Sequence, residues 1–151
     1  MTTSQPATMS AKRPSSARAA SGLITGVVGL LGLTTIAGGI WAFTDPPSFA
    51  RWVQFPVHHH FLHDIGAFQI GIGVTLLLAL LWRDGIAVGL GGFFTSNTLH
   101  AFSHLMDVDL GGRATDWLLI GALSVVALIT LLARLRQTAT KPNLDPIGDP
   151  R

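Results

Sequence analysis

Residues 22–43, GLITGVVGLLGLTTIAGGIWAF, run without a single charged side chain. About 20 apolar residues in a row is what an α-helix needs to cross the hydrocarbon of a bilayer. A helix on the surface of a soluble domain needs a polar face instead, and this run has none. Three further apolar segments follow, at residues 65–82, 85–105 and 117–134. In lipid every backbone N–H and C=O must be satisfied within the chain, so each segment should be a helix. The expected fold is all-α: an integral membrane four-helix bundle. Only 12% of the residues are charged, against about 25% in a soluble domain, which agrees.

The polar residues divide the chain. Residues 1–20 are rich in Ser, Thr, Ala and Pro and should form a disordered cytoplasmic tail. Residues 21–135 hold the four spans, and 136–151, with Pro142, Pro146 and Pro150, should form a second disordered tail. The first span is expected to remain uncleaved. It is longer than the apolar core of a signal peptide, and Thr44-Asp45-Pro46-Pro47 offers no small-x-small cleavage site. Gly22, Gly26 and Gly29 lie near one side of it, a flat surface for a neighbouring helix.

Four spans put both termini on one side. Lys12, Arg13, Arg18, Arg83, Arg134, Arg136, Lys141 and Arg151 share that side, and only Arg51 and Arg113 face the other. By the positive-inside rule the expected protein is a multi-pass protein of the cell inner membrane with cytoplasmic termini. Trp41, Trp52 and Trp117 then mark the outer interface and Trp82 the inner one. A pI near 9.9 would suggest nucleic acid in a soluble chain, but here topology explains the basic residues and no nucleic-acid partner is expected. The expected partner is the lipid bilayer, with a membrane-protein partner or a second copy packed on glycine-rich faces.

Residues 44–57 interrupt the apolar pattern. Asp45 can cap a helix whose first turn holds Pro46 and Pro47. SFARWVQF then reads as a short outer interfacial helix between spans one and two, with Phe49, Trp52, Val53 and Phe55 toward lipid. Pro56 permits a new helix from about Val57 to Trp82. Arg83-Asp84-Gly85 is a tight turn, and the third helix runs from Gly85 to about Leu105. Gly111 or Gly112 should end it with a positive φ. Thr115 or Asp116 caps the last helix, Trp117–Arg134.

Chemistry concentrates at the outer end. Asn97, His100, His104 and Asp107 recur at steps of three, four and three, so they share a face of the third helix. His59, His60, His63 and Asp64 open the second. At 1.5 Å per residue from the tight turn, His104 and Asp64 reach a similar depth, with His100 about 6 Å deeper. His59/His63 and His100/His104 are both i, i+4 pairs, a spacing at which two imidazoles can reach one metal ion. The expected metal ligands are therefore His59, His60, His63, Asp64, His100, His104 and Asp107. Nitrogen and oxygen ligands suit a divalent transition metal such as zinc, iron, manganese or copper. His100 also offers itself as a haem ligand, though no porphyrin pocket is marked.

Plainer readings stand beside these. His and Asn in membrane helices often only hydrogen-bond across an interface, at about 0.6 kcal/mol each. Six imidazoles on one side also suit a proton-responsive vestibule. The chain has no cysteine, which excludes thiol chemistry. It also has no Glu, so the zinc-protease pattern fails and DVDLGG at 107–112 reads as a turn rather than a calcium loop.

The stretches HHFLHDIGAFQIGIG and NTLHAFSHLMDVDLGG resemble those of small actinobacterial four-span membrane proteins. These carry an H-x-x-D-x-G-A stretch opening the second helix and an H-x-x-x-H near the end of the third. Asp64, Gly66 and Ala67 match the first with His60 or His63, though the His-to-Asp spacing departs from it; His100 and His104 match the second. The resemblance spans about residues 22–135 and extends, by helix count, to DoxX-like four-helix membrane proteins. It implies the topology and the same His and Asp residues, and no activity. The expected function is thus a membrane module with an outer-face His/Asp site. The alternatives are an accessory subunit of a membrane complex and a haem or redox membrane protein.

Overall fold

The computed structural model describes residues 15–82 and 85–139, which form five helices and, among those residues, no strand. They are α1 (Ser15–Thr44), α2 (Pro46–Val53), α3 (His59–Ala79), α4 (Gly85–Met106) and α5 (Asp116–Ala139). Three of them, α1, α3 and α5, are long and apolar enough to cross a membrane. At 22 residues α4 has the length, but its polar stripe keeps it below the same apolarity.

The element order follows the sequence, with shifted boundaries. α1 begins at Ser15, so residues 15–20 are helical rather than part of a disordered tail. α5 continues past Arg134 to Ala139. Residues 1–14 and 140–151 lie outside the described residues, as do Arg83 and Asp84 of the tight turn. α3 ends at Ala79 because the chain tightens there: the N–H groups of Leu80, Leu81 and Trp82 each bond the carbonyl three residues back.

α1 and α3 pack antiparallel with their backbones in contact. Gly39 faces Gly66 and, seven residues along each helix, Gly32 faces Gly73. A Cβ at Gly39 would lie 2.7 Å from the Gly66 carbonyl oxygen, and one at Gly73 would lie 2.6 Å from that of Gly32. No side chain fits there, so these four glycines set the helix spacing. The expected surface was another one: nothing lies within 4 Å of where a side chain at Gly22 or Gly26 would start, and Gly29 barely touches Leu80. Composition marks glycine; only the packed partner decides which glycines are used.

α4 and α5 form the other close pair, clasped by Asn97. Its Nδ2 donates to the Ile120 carbonyl at 2.6 Å and to Ser124 Oγ at 2.9 Å. The two pairs meet near the α3–α4 turn. There Ile24, Val28, Leu31, Leu76, Ile86, Leu90, Phe93 and Ala127 form one buried cluster drawn from all four long helices. Lipid tails are as apolar as these side chains, so in a membrane the gain comes from close contact rather than from burial.

The opposite end is capped. Asp45 Oδ1 accepts the Ser48 N–H, and Pro46 and Pro47 occupy the first turn of α2 as expected. Phe49 does not point outward as its sequence position suggested. It is buried beside Ala42, Ala50 and Leu62, with its ring edge-on to Trp41. The α4–α5 loop lies over this end, with Gly111 and Gly112 both at positive φ. Gln54, left-handed at φ 59°, turns its carbonyl to accept the Gly112 N–H at 2.9 Å. Arg113 Nη2 donates to the Trp52 carbonyl at 2.6 Å, and its guanidinium sits 5.7 Å over the Trp52 ring.

Candidate functional site: a cavity beneath the cap

Each helix of the α3–α4 hairpin has a stronger partner elsewhere. Gly85 and Gly89 bring α4 against Ala79 near the turn. Beyond that point the glycine pairs hold α3 to α1, and the Asn97 clasp holds α4 to α5. The two helices separate and leave a cavity of about 450 Å³ beneath the cap. Ligand sites generally fall between about 300 and 1,000 Å³.

The walls are mostly apolar. α2 contributes Phe49, Trp52 and Val53; α3 contributes Phe61, Leu62, Ile65 and Gln69; α5 contributes Leu119 and Ile120. α4 presents His100, Ser103 and His104, and Asp107 follows just past its end, so the polar stripe does line a common space. Asn97 is the exception, turned to α5 and spent on it.

His100 Nε2 and His104 Nε2 are 3.1 Å apart. One ring must donate and the other accept, so at most one of the two facing nitrogens carries a proton. The other side of His104 meets the loop. Its Nδ1 and Asp116 Oδ2 lie 3.6 and 3.2 Å from where a Cβ at Gly112 would sit, and the φ of 82° there favours glycine as the loop closes over them. Asp116 Oδ2 also accepts the Arg113 backbone N–H at 2.8 Å.

The seven expected ligands do not converge. None of His59, His60, His63 and Asp64 lines the cavity. His58 caps α3, its Nδ1 accepting the Phe61 N–H. His59 and His63 stack edge-on at 6.3 Å, and His63 rests on Phe43 of α1 at 5.1 Å. His60 and Asp64 pair at 3.5 Å on a largely exposed face. Rotation is the reason. With Gly66 and Gly73 held against α1 and about 100° per residue, His63 falls on one flank and Leu62, Ile65 and Gln69 on the other. Among the described residues no group of three or more His, Asp, Glu or Cys is arranged to hold a metal ion.

Several wall residues escaped the sequence reading. Gln69 had a signal, because a polar side chain midway along an apolar helix asks for a purpose. Its Oε1 lies 3.1 Å from where a Cβ at Gly38 would be, so it lies across α1 at the cavity's deep end. Phe61, Ile65 and Gln69 also repeat every four residues, which marks one face. Arg113 and Asp116 carried no comparable mark, since a charged loop reads as solvated. No known protein family, curated protein or solved structure matches this chain.

Proposed function

We propose that this chain is a four-span protein of the cell inner membrane, with cytoplasmic termini, that binds a lipid-soluble small molecule in its outer half. The occupant's apolar body fills the space between α3 and α4, and its polar end meets His100 and His104. The observation that carries this reading is the cavity: apolar walls with a few convergent polar groups at one pole. α4 joins α1, α3 and α5 as a span because its outward face is apolar, with Val88, Leu99 and Phe102 exposed, while Asn97 is already bonded to α5. The uneven spread of basic residues supports the orientation.

N-phenyl-1-naphthylamine, a neutral lipophile that fluoresces in apolar surroundings, tests the reading in nanodiscs. It should bind the full chain saturably, above the lipid-only background, and Ile65→Trp, which narrows the space, should weaken that binding. Binding unchanged in Ile65→Trp would sink the reading.

A second reading is favoured by the separation of the two imidazoles. Two nitrogens bound at 2.0–2.1 Å to one tetrahedral ion lie about 3.3 Å apart, close to the 3.1 Å seen here. Asp107 follows on the same face. Cobalt(II) titration of the purified protein should then give a d–d band that His100→Ala removes; a band indifferent to that change rejects this reading.

A further inference from the structure

Resting on the ligand-cavity reading, we propose that the occupant is a lipophilic cation, held by an aromatic wall and the carboxylates at the rim of the cavity. Four aromatic side chains, Phe49, Trp52, Phe55 and Phe61, line the space. Ring faces carry negative potential and attract cations, most strongly where water is excluded. The wall already does this once, with the Arg113 guanidinium 5.7 Å from the Trp52 centroid.

Charge at the rim has the same sign preference. Asp107 and Asp116 line the cavity against one guanidinium, Arg113, which is itself committed to the Trp52 carbonyl and to Asp116 at 3.8 Å. Among the described residues the Asp107 carboxylate makes no hydrogen bond or ion pair. An anion entering here meets an unbalanced carboxylate at the exposed rim and a cation is paired by it, while the aromatic wall deeper in is shielded from water. A compact hydrophilic ammonium ion would leave the apolar walls unused. A cation with its charge spread over an apolar body uses both walls and rim.

Tetraphenylphosphonium and tetraphenylborate nearly match in size and shape and differ in sign. Each is used to displace N-phenyl-1-naphthylamine from the full chain in nanodiscs, with lipid-only discs subtracted. The phosphonium should act at a concentration at least about tenfold lower than the borate. Asp107→Asn should bring that ratio toward one, and Asp107→Lys should invert it. Naphthylamine affinity is measured in each Asp107 variant as well, so that the displacement ratio is read against that variant's own probe binding. Equal or better displacement by the borate, or a ratio indifferent to both Asp107 variants, overturns the cation assignment and leaves the ligand cavity standing. Absence of naphthylamine binding that depends on the cavity overturns both.

Discussion

Gly39 and Gly66 touch through their backbones: a Cβ on either would lie 2.7 Å from the carbonyl oxygen of the other. The contact fixes more than the spacing of α1 and α3. It fixes the rotation of α3, and hence which residues of that helix reach the cavity. Gly66→Ala forces a methyl group onto a backbone atom that cannot swing aside. The expected loss is about 1–3 kcal/mol, the usual range for overpacking. Gly26→Ala, where the added Cβ meets open space, should cost nothing measurable. Thermal unfolding of both variants in one detergent checks the difference; equal midpoints would contradict the assignment.

Asn97 supplies the matching device between α4 and α5. Asn97→Leu keeps the size but removes both hydrogen bonds, leaving Ser124 Oγ and the Ile120 carbonyl without that donor. Interhelical bonds in membranes average about 0.6 kcal/mol and reach about 1.7. A loss near the upper figure is expected, because one side chain makes two short bonds. Ser124→Ala should cost less, since the bond to the Ile120 carbonyl survives. Reversible unfolding in SDS with a double-mutant cycle gives both values.

The helices were legible in the sequence because each is written locally. Length and apolarity specify a long helix, Asp45-Pro46-Pro47 specifies the start of α2, and Gly111-Gly112 specifies the turn after α4. The shared face of His100, His104 and Asp107 was legible for the same reason, since periodicity is a property of one helix. What faces that stripe was not. His63 and Asp64 stand at the expected end of α3, but Gly66 and Gly73 turn them away from α4. The rotation comes from a contact with α1, about thirty residues earlier in the chain. The cavity is further from view still, because it is the gap left when α3 and α4 each pack better with another helix. No local pattern encodes a gap.

Arg113 ties the α4–α5 loop to α2, and the cap should loosen when that tie is cut. Arg113→Gln removes the 2.6 Å bond to the Trp52 carbonyl and the contact with the Trp52 ring. A charged hydrogen bond is worth about 1.5–3 kcal/mol where buried. This side chain is 41% exposed, so screening reduces the expected cost to about 1 kcal/mol. The loss should be local. Amide exchange at Gly112, whose N–H bonds the Gln54 carbonyl, should rise several-fold, while the amides of α1 and α3 around Gly39 and Gly66 keep their protection. Uniformly faster exchange would mean that the cap supports the whole bundle.

The absence of cysteine makes the proposed topology directly testable, because any introduced thiol is the only one. Asp109→Cys places it in the α4–α5 loop, and Thr138→Cys places it in the last turn of α5. Both sites are exposed, so neither substitution disturbs packing. With four spans and cytoplasmic termini, a membrane-impermeant maleimide applied to intact cells should label the first and not the second, and lysis should expose the second. If α4 fails to cross, the loop and the end of α5 exchange sides, because α5 then starts from the cytoplasmic face. Asp109→Cys would then be shielded until lysis while Thr138→Cys becomes reactive outside. That reversal would place the His100–His104 pair and the cavity on the cytoplasmic side. The two labelling patterns therefore decide whether the polar stripe of α4 lies within the membrane or only beside it.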